Sequence, residues 1–333
     1  MKKLRHALAG IIVFVLANLP VLAAESQPLV VAPFTLSESQ LTCPNCLADW
    51  RAILKNALKP MRPEGMKIIG AVALVDISDP RVVVTTSKHG GTKECLDRTG
   101  VAPGYEALGE IPLPIRLRTA EEWAKKVRLD LAINANPFKV APADAAVSFA
   151  CGEVTGPFVT AGVVEWPPIE RKDMLTENVD SDPARPTWAL TFSKEKTVFI
   201  RQIKSYTQLQ DYNHVIAGVP LFIGYASFPS DTMAAKKVMS RIGIGFLPGR
   251  REVLIIHLAG KIKSDGAVAP GFPRQGLSIL FRSFGALAAL ELPGGDYAQL
   301  ASKDGPITAL KNSSAPQPVA VHLGFRLKAP SNP

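Results

Sequence analysis

Two carboxylates bracket a pair of glycines near the C-terminal end of the chain, in AALELPGGDYAQL from Ala288 to Leu300. Glu291 stands two residues before Pro293, and Asp296 follows Gly294 and Gly295. Carboxylates so placed can move a proton or stabilise a cationic centre. A Gly-Gly step after a buried-looking strand lets backbone approach a ligand and turn its N–H groups toward an anion; the same step can also be a tight turn and nothing more. His257, inside VLIIHLAG, is able to act as a general base near neutral pH, although a histidine in an apolar strand is also a common satisfied core residue. Cys43-Pro-Asn-Cys46 adds two thiols at the head of LADWRAILKNAL. A CxxC at a helix N-terminus can carry a reactive thiolate for disulfide exchange. The chain lacks the compact strand–CxxC–helix layout of a redox domain and has no second CxxC to complete a zinc site, so a structural bridge is the better reading.

These groups must be held by elements, and the first residues are not among them. MKKLRH is a basic n-region, ALAGIIVFVLANLPVLA an apolar h-region, and Val21-Leu22-Ala23 a small-residue cleavage pattern. Residues 1–23 are therefore expected to be a signal peptide, with the mature chain starting near Ala24 or Glu25. The apolar run contains Asn18 and Pro20 and is short against the roughly 20 apolar residues of a membrane span. No stable span is expected after cleavage, and the expected location is periplasmic or secreted. The formal charge of +9 includes Lys2, Lys3 and Arg5 of the leader. The remaining basic residues are interleaved with acids, a pattern that excludes a nucleic-acid stripe. Four cysteines, an even number in an exported chain, imply disulfides.

The 47% of hydrophobic residues can bury a substantial core. Residues 44–58 carry a helical apolar face at Leu47, Trp50, Ile53, Leu54 and Leu58. MKIIGAVALVDISDPRVVVTTS holds two β-branched runs broken at Ser78-Asp79-Pro80. In RTAEEWAKKVRLDLAINANPF a helix with Thr119 as N-cap and Glu122 three residues on precedes a buried strand. SRIGIGFLPGRREVLIIHLAG reads as a hairpin turned at Pro248-Gly249. LSILFRSFGALAALEL gives a short helix and then a strand, and PVAVHLGFRL the last strand. Strands outnumber singly interspersed helices, which predicts an α+β fold with a mixed β-sheet core. The expected segments are the leader, an N-terminal extension with the CxxC helix (24–61), one large domain (62–328) and a tail (329–333).

Taken in order, these motifs resemble the phosphodiester glycosidase family from about Met66 to Leu327. VDISDPRVVV is similar to its opening strand pair, and LAINANPF places Asn134 and Phe138 on shared positions. CGEVTGPFVTAG is similar to a segment in which a cysteine precedes a Gly/Val-rich turn. SRIGIG puts Arg241 on the family arginine, and LIIHLAGK puts His257 on a histidine seen in some members. FGALAALELPGGDYA aligns without a gap on the family's Asn-Leu-Asp-Gly-Gly-Gly-Ser signature, with Glu291 at the Asn, Pro293 at the Asp, Asp296 at the third Gly and Tyr297 at the Ser.

The resemblance implies a phosphodiester glycosidase-like domain over 62–328, acting on phosphodiester-linked sugars. The expected ligand is a sugar-1-phosphate diester of N-acetylglucosamine type, or a similar anionic envelope glycoconjugate, with no cofactor and no metal. Arg241, whose guanidinium fork fits phosphate oxygens, Asn134, Gly294 and Gly295 would bind it; Glu291, Asp296 and His257 would be the catalytic candidates. Proline in place of the signature aspartate removes a side chain that can titrate. A non-catalytic binding protein using the same pocket is therefore the competing expectation, and an oxidoreductase built on Cys43-Pro-Asn-Cys46 a third. Cys95 and Cys151 flank the first helix and the Asn134 strand of the shared region, so Cys95–Cys151 is the expected pair, with Cys43–Cys46 bridging locally.

Overall fold

The structure, a computed structural model, describes residues 27–38, 40–87, 115–140, 150–166, 187–228, 232–269, 271–308 and 315–329. The leader and Cys95 lie outside the described residues. In β1 (Leu29–Leu36), Val30, Ala32, Phe34 and Leu36 are buried and the residues between them half-buried, the period of a strand with one face on a core. α1 (Trp50–Leu58) buries Trp50, Leu54, Ala57 and Leu58, one stripe of a helix. The sequence placed the start of this helix at 44. It starts at Trp50 because the Cys43–Cys46 bridge and Pro44 hold the preceding residues in turns, and Leu47 is left exposed.

β2 (Met66–Asp76) and β3 (Val82–Thr86) are the two β-branched runs. α2 (Ala120–Val127) begins on the expected capping box: Thr119 Oγ1 accepts from the Glu122 N–H at 3.1 Å, and the Glu122 carboxylate accepts from the Thr119 N–H at 2.8 Å. β4 (Leu131–Asn134) follows, buried at all four positions. β5 (Val219–Ile223) precedes the hairpin of β6 (Arg241–Phe246) and β7 (Glu252–Lys263), whose turn carries Gly249 at φ 93°. α3 (Arg274–Ser283) leads into β8 (Ala288–Leu292), and β9 (His322–Leu327) is the last strand.

The largest sheet has the spatial order Ala226–Ser227, β5, β8, β6, β7, β2, β1, Leu41–Thr42, with Val268–Ala269 also paired to β7. A five-stranded sheet runs Val163–Trp166, Phe158–Thr160, Tyr212–Ala217, Trp188–Ser193, Val198–Gln202. Another runs Gly305–Pro306, Leu300–Ser302, β4, β9, β3, and a three-stranded one Ile115–Arg116, Cys151–Val154, Phe138–Val140. The α+β class is the expected one. Its ladders, read from the sequence as mixed, are antiparallel in every strand pair among the described residues. Singly interspersed helices do not require the long crossovers that parallel pairs need.

One face of the largest sheet packs on α1 and α3, where Leu254, Ile256 and Leu258 meet Leu54, Leu277 and Phe281. The other face, with Ile242, Ile244, Ile255 and Leu290, meets Ile133, Leu190, Ile216 and Leu323 of the five-stranded sheets. Each of these buried side chains contributes roughly 1.5–3 kcal/mol. α2 lies outside β4, with Trp123 and Ala124 against Leu129 and Ala132. Among the described residues no helix is long and apolar enough to cross a membrane.

Candidate functional site

β6 and β8 are neighbours, with Gly243 opposite Glu291 and Ile242 opposite Leu292. Strand alternation then sends the Arg241 and Glu291 side chains to the helix-covered face. Glu291 Oε1 accepts from Arg241 Nη1, and Oε2 accepts from Arg274 Nε. Arg241 Nε donates to the Phe272 carbonyl at 2.9 Å, and Nη2 donates to the carbonyls of Lys237 and Ala234. Arg241 is 0%, Arg274 7% and Glu291 4% exposed, so water contributes little to their solvation. Such a cluster persists only because every charge is paired and hydrogen-bonded. Arg274 opens α3, the end of a helix where a cation is disfavoured by the helix dipole, and the Glu291 carboxylate offsets that cost.

These three side chains line a cleft of about 370 Å³. Phe138 and Tyr297, edge to face at 5.2 Å, form an aromatic wall, Met239 and Leu292 add apolar surface, and Lys237 sits on the rim. Pro293 and Gly294 also line it. Two guanidiniums against one carboxylate, with Lys237 above, leave the cleft positive.

Asn134 holds the glycine loop. Its Nδ2 donates to the Pro293 carbonyl at 2.9 Å and its Oδ1 accepts from the Gln299 N–H at 2.9 Å, so one buried amide fixes both ends of residues 293–299. Gln299 extends the support, accepting from the Ala120 N–H at 2.7 Å. Asn134 thus lies directly behind the cleft wall and bonds the loop backbone; it is not among the lining residues. Gly294 is a close-approach position: a Cβ there would lie 2.8 Å from the Ser240 carbonyl oxygen. Gly295 has φ 67° and donates its N–H to that same oxygen at 2.8 Å, so this amide is occupied. Asp296 is exposed on the short turn that follows and does not line the cleft.

His257 lies on the other face of the sheet from Arg241. It pairs with Ile242 in the β6–β7 ladder, one residue out of phase with Arg241, and is 2% exposed. Its Nε2 is 3.2 Å from Ser240 Oγ and its Nδ1 2.5 Å from Thr308 Oγ1, and burial pushes its pKa down from 6.5 to about 4. Arg241, Glu291 and Gly294 are thus brought together in the cleft, with Asn134 behind it, while His257 and Asp296 are not.

Cys43 and Cys46 are bonded to each other, and Cys43 is 1% exposed, so the first sulfur of the CxxC is shielded from an exchange partner. Cys151 is disulfide-bonded; Cys95, its expected partner, lies outside the described residues. Among the described residues no group of three His, Cys, Asp or Glu side chains could hold a metal ion. Sequence reasoning missed Arg274 and Gln299. Arg274 carried one usable signal, a cation directly after Pro273 at the unfavourable end of a helix.

Fold and cleft together define an α+β protein with an antiparallel core and a buried two-arginine, one-glutamate cluster under an aromatic-walled opening. No protein-family model matches the chain, and no curated protein matches its sequence. Among solved structures, the chain is similar to the zebrafish N-acetylglucosamine-1-phosphodiester alpha-N-acetylglucosaminidase catalytic domain in a form auto-inhibited by its pro-peptide. That likeness has 12% identity and a TM-score of 0.52, and covers 92% of this chain and 85% of that one. It is also similar to a Burkholderia pseudomallei protein named as exported, with 10% identity and a TM-score of 0.50, over 80% of this chain and 75% of that one. At these identities the relationship is one of fold.

Proposed function

We propose that this chain is an exported protein that binds a sugar-1-phosphate diester of N-acetylglucosamine type, carried on an envelope glycoconjugate, in the cleft over Arg241, Glu291 and Arg274. The supporting observation is that cluster itself, two guanidiniums sharing one carboxylate at the floor of an opening walled by Phe138 and Tyr297. A phosphodiester anion matches the uncompensated positive charge, and guanidinium forks fit its oxygens. The flat apolar face of a sugar ring suits the aromatic wall. The fold shared with the zebrafish glycosidase domain and the leader-like N-terminus both favour this reading.

Binding without efficient turnover is the better form of the proposal. A phosphodiester is an easy leaving group, so a glycosidase acting on it needs chiefly a group to activate water and a charge to stabilise the oxocarbenium-like centre. Both Glu291 oxygens already accept from guanidiniums, Pro293 brings no titrating side chain, and Asp296 and His257 lie away from the cleft. Hydrolysis is the second reading, favoured by one observation: Glu291 is the acidic side chain among the cleft-lining residues, and a phosphate that displaced it from one arginine would release a carboxylate beside the sugar. The deciding experiment incubates the purified mature protein with an N-acetylglucosamine phosphodiester, following binding and the release of free N-acetylglucosamine together. Saturable binding without sugar release is the expected result. Enzyme-like turnover abolished by Glu291→Gln would establish the second reading, and no binding would reject both.

A further inference from the structure

A second cavity lies between α2 and the edge formed by β3 and β9, sharing no lining residue with the cleft. Its volume is about 400 Å³, within the range of small-molecule pockets. We infer that it is a binding site for a small hydroxylated anion, a polyol the size of a monosaccharide that carries a carboxylate or a phosphate.

The charge of the lining comes first. Arg116, Arg118 and Lys126 line the cavity, and no acidic side chain among the described residues does. Among the described residues the Arg118 and Lys126 side chains have no hydrogen-bond or ion-pair partner, so both cations remain available to a ligand. Unpaired cations converging on a concave, partly apolar surface form a site for an anion.

The second observation points to hydroxyl groups. His322, a lining residue 2% exposed, is stacked on Trp123 with ring centroids 5.1 Å apart, which fixes its ring. Its Nε2 is 3.1 Å from the Arg118 carbonyl oxygen, and since a carbonyl only accepts, Nε2 carries the proton. Nδ1 is then an acceptor, and it is buried without a partner. Buried polar atoms are nearly always paired, so an orphan on a cavity-lining residue points to a group that the occupant supplies. Ser87 Oγ, also in the lining, accepts from the His322 N–H at 3.0 Å and keeps its own proton to donate. An anion held by the two cations, with one hydroxyl donating to His322 Nδ1 and another accepting from Ser87, satisfies the whole set. His322 stays neutral in this role: burial takes its pKa from 6.5 down to about 4, with the charge of Arg118 acting in the same direction.

The test is a calorimetric titration of the full mature chain, in a phosphate-free buffer of fixed ionic strength, with glucuronate, glucose 6-phosphate, glucose and inorganic phosphate. Glucuronate and glucose 6-phosphate should each bind at least about tenfold more tightly than uncharged glucose or inorganic phosphate, which has no polyol, a difference of about 1.4 kcal/mol. Arg118→Met combined with Lys126→Met should weaken both about tenfold or more while leaving the unfolding midpoint in place, since neither side chain makes a structural bond among the described residues. Arg274→Gln, in the separate cleft, should leave them unchanged. Absence of binding at millimolar concentration, equal binding of glucose, equal binding of inorganic phosphate, or a loss confined to Arg274→Gln would each overturn the inference.

Discussion

Glu291 and Arg241 come from adjacent antiparallel strands, point to the same side of the sheet and meet as a buried ion pair at the floor of the cleft. Arg274 reaches the same carboxylate from the start of α3, so one acid stands between two cations and whatever anion enters. The pair holds the cleft in shape and, under the proposed function, also competes with the ligand for its arginines.

Replacing the acid separates these two effects. Glu291→Gln leaves two nearly buried guanidiniums without a counter-charge, and removing one member of such a cluster costs about 3–5 kcal/mol. The denaturant midpoint at neutral pH should fall accordingly, and part of the loss should return when a phosphodiester is added. A midpoint equal to that of the unmodified chain would contradict the burial and pairing described for this cluster.

Asn134→Ala should loosen the glycine loop without touching the cleft surface. It leaves the Pro293 carbonyl and the Gln299 N–H without their partner, at about 1–3 kcal/mol for each group left unsatisfied. Hydrogen exchange at the Gln299 amide reads this directly. Exchange should accelerate in the variant, and unchanged protection would show that Asn134 does not hold the loop.

Gly294→Ala tests the close approach of the loop to β6. The added Cβ would meet the Ser240 carbonyl oxygen and Met239 Cε, each at 2.8 Å. The methionine end can move and the carbonyl cannot, so overpacking should cost about 1–3 kcal/mol. Adding Met239→Ala should recover only part of it. Full recovery, seen in thermal unfolding, would mean that the side chain and not the backbone sets the limit.

Stability should also depend on histidine protonation. Burial lowers His214, His257 and His322 from 6.5 to about 4, so the unfolded chain binds more protons than the folded one between these values. Their contribution is complete above pH 6.5 and is lost as the pH falls toward 4, at up to about 1.4 kcal/mol per pH unit for each histidine. Urea unfolding across this window should show the fall, and His214→Asn should make it shallower. Equal slopes in the two proteins would remove His214 from the explanation.

Much of this arrangement was legible in the sequence where the determinants are local. The Thr119–Glu122 cap, the Pro248-Gly249 turn and the uninterrupted apolar strand before Asn134 rest on spacings of a few residues, and all three are found. Strand position also pointed to Arg241 as the partner of Glu291, and the two are paired. Register between strands is not written so locally. The face of His257 follows from its pairing with Ile242, and Arg274 joins the cluster through a tertiary contact that no short-range pattern encodes. The Asn134 amide could equally have met a ligand or the backbone, and only the position of residues 293–299 assigns it to the backbone.

The most direct measurement of the central claim is calorimetric titration of the methyl diester of N-acetylglucosamine 1-phosphate into the mature protein and into Arg274→Gln. Arg274 is the least buried member of the cluster, and losing one charge-assisted contact to phosphate corresponds to about tenfold or more in affinity. Saturable one-to-one binding in the mature protein, weakened by that factor in Arg274→Gln and by added salt in both, is the expected result. Failure of the diester to bind, or binding that Arg274→Gln leaves unchanged, would contradict the claim that this cleft receives the phosphate.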